Sequence, residues 1–173
     1  MIYTNSHLED WIENLYKKIN ISRPEQLNIE RIASALDILI VYNSNTSFAL
    51  RFYGMYTISL DCRKNRKEQW IDFSHEVCHD LRHINDEKIM PLSWHQYLEN
   101  QAKYFSYHFC IPTFMLNKIK IPQLKSEAIK LIGDTFNVTY PFASCRLEMY
   151  QRKQFEYAFF KKINNQRCTP VTK

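Results

Sequence analysis

The chain has 173 residues, enough for one ordinary domain or for a compact domain with a small helical annex, which excludes a large multidomain protein. Its 45% hydrophobic content beside 24% charged residues argues against global disorder. It has only two glycines, Gly54 and Gly133, which excludes the glycine-rich loops that hold nucleotide phosphates. The net charge of +5 comes from dispersed basic residues and by itself favours neither nucleic acid nor another acidic partner.

The N-terminal part predicts two helices and a small sheet. Apolar residues at helical spacing over 6–20 predict an amphipathic helix, with Ser6 and Glu9 as a possible capping box. A second short helix is expected after Asn28, its N-cap. Three strands follow, one β-branched run and two alternating segments, separated by turn residues at 43–46 and at Gly54; they lie over 38–42, 48–52 and 56–60. We expect a small three-stranded antiparallel sheet.

The rest of the chain predicts helices. A helix is expected over 65–83 because four apolar residues are spaced as a buried stripe: Trp70, Phe73, Val77 and Leu81. A further helix is expected over 94–110 and must end before Pro112. Short helices are expected after Pro122 and Pro141, and the chain then tails off from Asn164.

The sequence favours a cytoplasmic location. The first ten residues show no basic segment followed by an apolar one, so no secretory signal is predicted. No uncharged apolar stretch approaches the roughly 20 residues that a bilayer requires. The five cysteines are odd in number and form no CxxC pair, as is typical of reduced thiols. We therefore expect no membrane partner.

The segment His75-Glu76-Val77-Cys78-His79 carries the chemistry. Residues four apart on a helix project from one face, so His75 and His79 can direct both imidazoles at one metal ion. Glu76 flanks that face and is placed to act as the general base toward a metal-bound water. This HExxH pattern predicts a metal hydrolase. The expected cofactor is one Zn²⁺ ion, although Mn²⁺ or another divalent ion also suits such ligands.

A hydrolytic zinc site needs a third protein ligand and one open position. The metzincin pattern is excluded, because Asn85 stands where its third histidine would lie and Arg82 where its glycine would lie. The alternative is a glutamate from a following helix. Glu99, the first acidic residue of the helix over 94–110, is favoured over Glu87 in the connecting loop.

Other polar residues near the motif are weaker candidates for the site. His83 lies one turn beyond His79 and is more typical of an exposed helix end. Asp72 and Asp80 could orient a histidine ligand, or could be ordinary surface charges. A histidine or tyrosine often assists the tetrahedral intermediate of zinc peptidases. Three residues could do so here, although each is more typical of packing: Tyr104, Tyr107 and His108.

Substrate binding is also predicted. Zinc peptidases usually hold a peptide in extended form against a sheet edge. The strand over 56–60, directly before the motif helix, is predicted to provide that edge.

The motif and the residues that follow it resemble the ImmA/IrrE family of metallopeptidases. The family pattern is HExxH and then ExEANxFAxxLLxP. It is matched here by His75–His79, by the segment Glu99-Asn100-Gln101-Ala102-Lys103-Tyr104-Phe105, and by Cys110-Ile111-Pro112. The resemblance extends over about 29–147, and 107–116 is particularly similar to the ImmA branch of phages and integrative elements.

Three departures from the family pattern remove no ligand. Cys78 stands where many members have glycine, Gln101 replaces the second glutamate and Lys103 replaces the common asparagine. Cys78 lies on a different flank of the helix from the two histidines, so we interpret it as a small core residue.

The resemblance implies a zinc-dependent intracellular endopeptidase that cleaves a helix-turn-helix repressor of a prophage or mobile element and so derepresses its genes. The repressor would be the protein partner, with His75, His79 and Glu99 as metal ligands and Glu76 as the catalytic residue. The implied fold is α+β and zincin-like, with the three-stranded sheet packed against the HExxH helix. The metallopeptidase domain would cover 1–120, and a small helical subdomain 121–173.

Two other functions stay open. The spacing of apolar residues over 131–147 and the basic residues over 125–162 would suit a DNA-binding regulator. Four acidic residues between those basic ones argue against direct nucleic-acid binding: Glu127, Asp134, Glu148 and Glu156. A regulator could also bind metal and repressor without proteolysis. Glu76 favours catalysis, because a structural site needs no base beside its ligands.

Overall fold

The computed structural model describes residues 4–82 and 91–167 and has a mixed α+β architecture, as expected. Its elements, in chain order, are α1 (His7–Lys18), a 3₁₀ turn (Pro24–Gln26), α2 (Ile29–Ala35), β1 (Ile38–Asn43), β2 (Phe48–Phe52), β3 (Met55–Asp61), α3 (Arg66–Arg82), α4 (Leu92–Cys110), α5 (Thr113–Leu116), α6 (Lys125–Thr135) and α7 (Tyr140–Arg167). The predicted N-caps are confirmed: Ser6 and Glu9 form a capping box on α1, and Asn28 caps α2. The predicted roles of His83 and Glu87 fall outside the described residues.

The sheet is mixed, so the prediction of an antiparallel sheet is wrong. The strand order is β1-β3-β2; β1 runs parallel to β3, and β2 runs antiparallel to it. The chain leaves β1 through 44–47 and passes the place that β3 later fills. This span of two strand spacings is about 10 Å, which four residues can cover. Alternation of apolar and polar residues predicts which face of the sheet each side chain is on, but it does not predict which strands pair with each other.

Strand β2 forms a hairpin with β3 and is an edge strand within residues 4–82 and 91–167, because β1 pairs with the other side of β3. The turn residues of this hairpin, Tyr53 and Gly54, have φ values of 49° and 79°, as in the tight turns that match the twist of paired strands. The strand predicted as a free edge, 56–60, belongs to β3 and is paired on both sides. That prediction is wrong, because the order of strands depends on contacts that local sequence does not record.

The core lies between the sheet and the helices α3 and α4. Ile58 and Leu60 of β3 are fully buried on the side where Phe73 and Val77 of α3 pack. Phe109 of α4 packs against the aromatic rings of α3, and its ring centroid lies 5.6 Å from that of Trp70. This packing holds α3 between the sheet and α4, so that the HExxH segment lies at their junction.

Helix α7 is long rather than short, contrary to expectation, and continues past Asn164 to Arg167. Pro141 stands in its first turn, where the missing amide hydrogen of proline has no helical partner to lose. The hydrophobic core is continuous from α1 to α7. The division at residue 120 stays a prediction.

A buried ionic cluster ties α1 to the C-terminal helix. The side chains of Glu9 and Arg146 are each only 1% exposed, and their nearest charged atoms lie 3.9 Å apart. The Thr113 hydroxyl bridges them, because it donates to Glu9 at 2.6 Å and accepts from Arg146 at 2.7 Å. Lys153 also pairs with Glu9. Buried charges require such partners, so the cluster fixes how α1, α5 and α7 pack.

Among residues 4–82 and 91–167, no helix combines the length and the apolar character needed to cross a bilayer.

Candidate metal centre

Helix α3 presents His75 and His79 to one side because its other side is apolar. Val77 and Cys78, which lie between them in sequence, are buried in the core. The two histidine side chains keep 26% and 13% of their surface exposed, respectively. The i, i+4 spacing thus places both imidazoles on the face that turns away from the core and toward solvent.

Glu99 of α4 meets both histidines. Its Oε2 atom lies 3.1 Å from His75 Nε2, and its Oε1 atom lies 3.4 Å from His79 Nε2. The two Nε2 atoms are 3.2 Å apart. Ligand atoms at the corners of a zinc tetrahedron with bonds of about 2.0–2.1 Å are separated by about 3.3–3.4 Å. These three side chains could therefore hold one divalent metal ion.

The lowered pKa of His75 suits metal binding. Burial lowers the pKa of His75; the Glu99 carboxylate opposes this shift, and His79 adds to it. A lower pKa keeps the imidazole neutral, and neutral imidazole is the form that binds metal. Cys78 stays in the core, as predicted, and burial raises its thiol pKa to about 12. Cys78 lies in the core and not among the residues that line the cleft, so it is not placed to bind a metal ion there.

An open cleft of about 520 Å³ contains the three side chains together with Glu76. Its remaining lining residues are Ser47, Phe48, Ala49 and Tyr56. Sequence analysis included Tyr56 in the strand predicted to bind substrate but missed the other three residues, because they reach the cleft through the pairing of β2 with β3. The period-two pattern could at most have placed Tyr56 on the same sheet face as the buried Ile58.

Asp72 and Asp80 bind groups other than the histidine rings. The Asp72 carboxylate accepts hydrogen bonds from Ser47 and, at 2.7 Å, from Lys64. Asp80 pairs with Arg51 at 3.1 Å. The two carboxylates thus attach α3 to the loop before β2 and to β2 itself.

The three candidates for stabilising the intermediate do not line the cleft. Tyr104 lines a separate cavity beside α1, and Tyr107 packs on Phe142 with ring centroids 4.4 Å apart. His108 is 3% exposed and lies against the buried cluster, with its Nδ1 3.7 Å from Glu9. None of the three is therefore placed to contact a substrate in this cleft.

His108 is expected to make the fold acid-sensitive. Burial is the main cause that lowers the pKa of His108 to about 3. The positive charges of Arg146 and Lys153 also lower it, and the Glu9 carboxylate opposes them. The unfolded chain takes up a proton near pH 6.5 and the folded chain does not, so stability falls as pH falls below 6.5. We expect a loss of about 2 kcal/mol between pH 6.5 and 5 from this group.

Urea unfolding at several pH values, with metal-loaded protein, measures this effect. His108→Phe should reduce the dependence of the free energy of unfolding on pH. The control His7→Gln replaces an exposed residue and should leave that dependence as in wild type. Equal slopes in wild type and His108→Phe would contradict the assignment.

Comparison with known proteins places the chain in a family. The family model of the IrrE N-terminal-like domain, peptidase M78, matches residues 33–148. A Bacillus subtilis strain 168 protein, "Uncharacterized protein YqaB", is 54% identical over 98% of this chain and 99% of its own length. The "Phage-like element PBSX protein XkdA" of the same strain is 40% identical over 91% of this chain and 80% of its own length.

The fold also resembles a solved structure. A "Mycobacterium tuberculosis transcriptional regulator" superimposes with a TM-score of 0.58 and 14% identity, over 80% of this chain and 45% of that one. At this identity the likeness concerns the fold alone. The family match and the two relatives confirm the resemblance predicted from the sequence. This chain is a member of the IrrE N-terminal-like family of M78 peptidases.

Proposed function

We propose that the chain is a zinc-dependent endopeptidase with a zincin-like core, and that its substrate is a helix-turn-helix repressor of a phage or mobile element. One observation carries the proposal: two imidazoles and a carboxylate lie within 3.1–3.4 Å of one another in an open cleft that also contains Glu76. Membership of a peptidase family supports a protein substrate. The relative named for a phage-like element supports the mobile-element context.

Each residue of the cleft has a chemical task in this proposal. His75, His79 and Glu99 hold the ion, which acts as a Lewis acid when bound. Glu76 takes a proton from the attacking water and later delivers it to the amine nitrogen that leaves. A glutamate suits both steps, because its carboxylate can accept the proton and its acid form can return it.

The peptide-binding edge in this proposal is β2 rather than β3. Phe48 and Ala49 of β2 line the cleft, and in the part of the chain that the structure describes β2 pairs with β3 on one side and with no strand on the other. An extended peptide can add to such an edge through main-chain hydrogen bonds. A peptide bound there would place its scissile bond in the cleft that also contains Glu76.

Incubation with any helix-turn-helix repressor encoded beside this gene tests the proposal. We expect a single discrete cut that a chelator abolishes and added Zn²⁺ restores. An intact repressor in the presence of metal-loaded protein would contradict proteolysis. If that repressor were still bound, the result would support the alternative of a regulator that binds metal without cleaving.

A further inference from the structure

Tyr56 lies in the cleft beside the residues assigned to catalysis. It belongs to β3, on the sheet face that packs against α3, and its hydroxyl donates to the main-chain oxygen of Glu76 at 2.9 Å. Glu76 directly follows His75 in sequence. The phenol oxygen is therefore within hydrogen-bond distance of the backbone that carries both the proposed base and a proposed metal ligand.

Tyr56 is better placed to donate to a substrate than the other hydroxyl of the cleft. Ser47 Oγ donates to the Asp72 carboxylate and accepts from the Asp61 amide at 3.1 Å. Its only hydrogen is thus used in a charge-assisted bond. Tyr56 donates instead to a neutral carbonyl, which by the helical pattern also accepts from the amide four residues on. A developing oxyanion is a stronger acceptor than that carbonyl and can take over the phenol hydrogen.

The ring of Tyr56 is held in place before any substrate binds. The Arg51 guanidinium carbon lies 5.9 Å from the ring centroid, and Arg51 is itself paired with Asp80 of α3. Tyr56 also sits on the central strand, which is paired on both sides. Fixed donors stabilise transition-state charge well, because they need little rearrangement during the reaction.

We propose that the Tyr56 hydroxyl donates a hydrogen bond to the substrate carbonyl oxygen as negative charge develops on it. This inference rests on the proposed peptidase function and adds a catalytic residue to it. The water oxygen bonds to the carbonyl carbon, the π electrons move to the carbonyl oxygen, and Glu76 receives the water proton. When the carbon–nitrogen bond breaks, that proton goes to nitrogen. Tyr56 keeps its own proton throughout.

Tyr56→Phe tests the proposal, with Tyr42→Phe as the matched control. Tyr42 lies on β1 of the same sheet, outside the cleft lining, and its hydroxyl bonds to Glu30 at 3.1 Å. With the neighbouring repressor as substrate, we expect Tyr56→Phe to lower kcat on the order of 100-fold with little change in KM. Bound metal should match wild type, and the melting temperature should fall only slightly with the loss of the bond to Glu76. Tyr42→Phe should keep its kcat.

Inhibitor binding separates a catalytic from a merely structural role. Two inhibitors are built on the mapped cleavage sequence: a phosphonate, whose tetrahedral group mimics the charged oxygen, and a hydroxamate, which binds metal through a planar group. Tyr56→Phe should weaken the phosphonate at least about 10-fold and the hydroxamate by less than about threefold. Equal weakening of both, or a kcat within about threefold of wild type, would overturn the proposal.

Fluorotyrosine at position 56 provides a second variant if Tyr56→Phe does not fold. Fluorotyrosine keeps the hydroxyl and the shape of tyrosine, but its phenol ionises at lower pH. Because only the protonated phenol can donate, the fall of kcat at alkaline pH should move to lower pH. An unmoved limb would overturn the proposal. Absence of cleavage by metal-loaded wild type would instead refute the peptidase function itself, so the two failures are distinguishable.

Discussion

Replacing Glu76 with glutamine is expected to abolish repressor cleavage while leaving the metal bound. Glutamine keeps the size of the side chain but cannot accept the proton of the attacking water. Loss of a general base usually costs on the order of 10² to 10⁴ in rate. His75, His79 and Glu99 are unchanged, so the ion should stay in place. Cleavage kinetics and metal analysis on the same preparation measure both quantities.

The control for this prediction is Glu127→Gln, which removes an exposed carboxylate from α6. It should cleave at the wild-type rate. Full activity of Glu76→Gln with metal bound would show that another group accepts the proton. Loss of metal from Glu76→Gln would show that Glu76 helps to hold the ion.

Replacing Glu9 with glutamine is expected to cause a large loss of stability. The substitution leaves Arg146 charged in a site where only 1% of its side chain is exposed. Removing one member of a buried charge cluster costs about 3–5 kcal/mol, because the remaining charge loses its compensation. Urea unfolding at neutral pH measures the change in the free energy of unfolding.

Two further variants check the cause of this loss. Glu13→Gln breaks a surface pair with Lys17 on the same helix, and it should change stability by no more than about 0.5 kcal/mol. Glu9→Gln combined with Arg146→Met removes both charges and should recover part of the loss. A loss of less than about 1 kcal/mol for Glu9→Gln alone would contradict the account of the cluster.

Local features of the structure were predictable from the sequence because they depend on neighbouring residues. The capping box of α1 needs only Ser6 and Glu9, three residues apart, and the N-cap of α2 needs only Asn28. The facing of His75 and His79 follows from helical geometry alone. The choice of Glu99 also assumed that the helix following the motif packs against it. The structure places Glu99 next to both histidines.

Features that depend on distant contacts were not predictable. The local sequence around Glu9 predicts only its role in the capping box. Its burial depends on Arg146 and Lys153, which lie more than one hundred residues away in sequence. The sheet order likewise needs the pairing of β1 with β3, and this pairing decides that β2 is an edge. Tyr56 lies in the cleft because β3 packs against α3, where its hydroxyl meets the main-chain oxygen of Glu76. The meeting of two imidazoles and a carboxylate could thus be predicted from sequence, but the sheet residues that line their cleft could not.

Calorimetric titration with Zn²⁺ tests most directly whether His75, His79 and Glu99 bind one ion together. We expect one equivalent in the wild type and an affinity at least about 100-fold weaker in His75→Ala, His79→Ala and Glu99→Gln, since even the partners of metal ligands contribute about 10- to 100-fold. The exposed-residue control His7→Ala should bind like wild type. Wild-type affinity in Glu99→Gln would contradict the proposed metal centre.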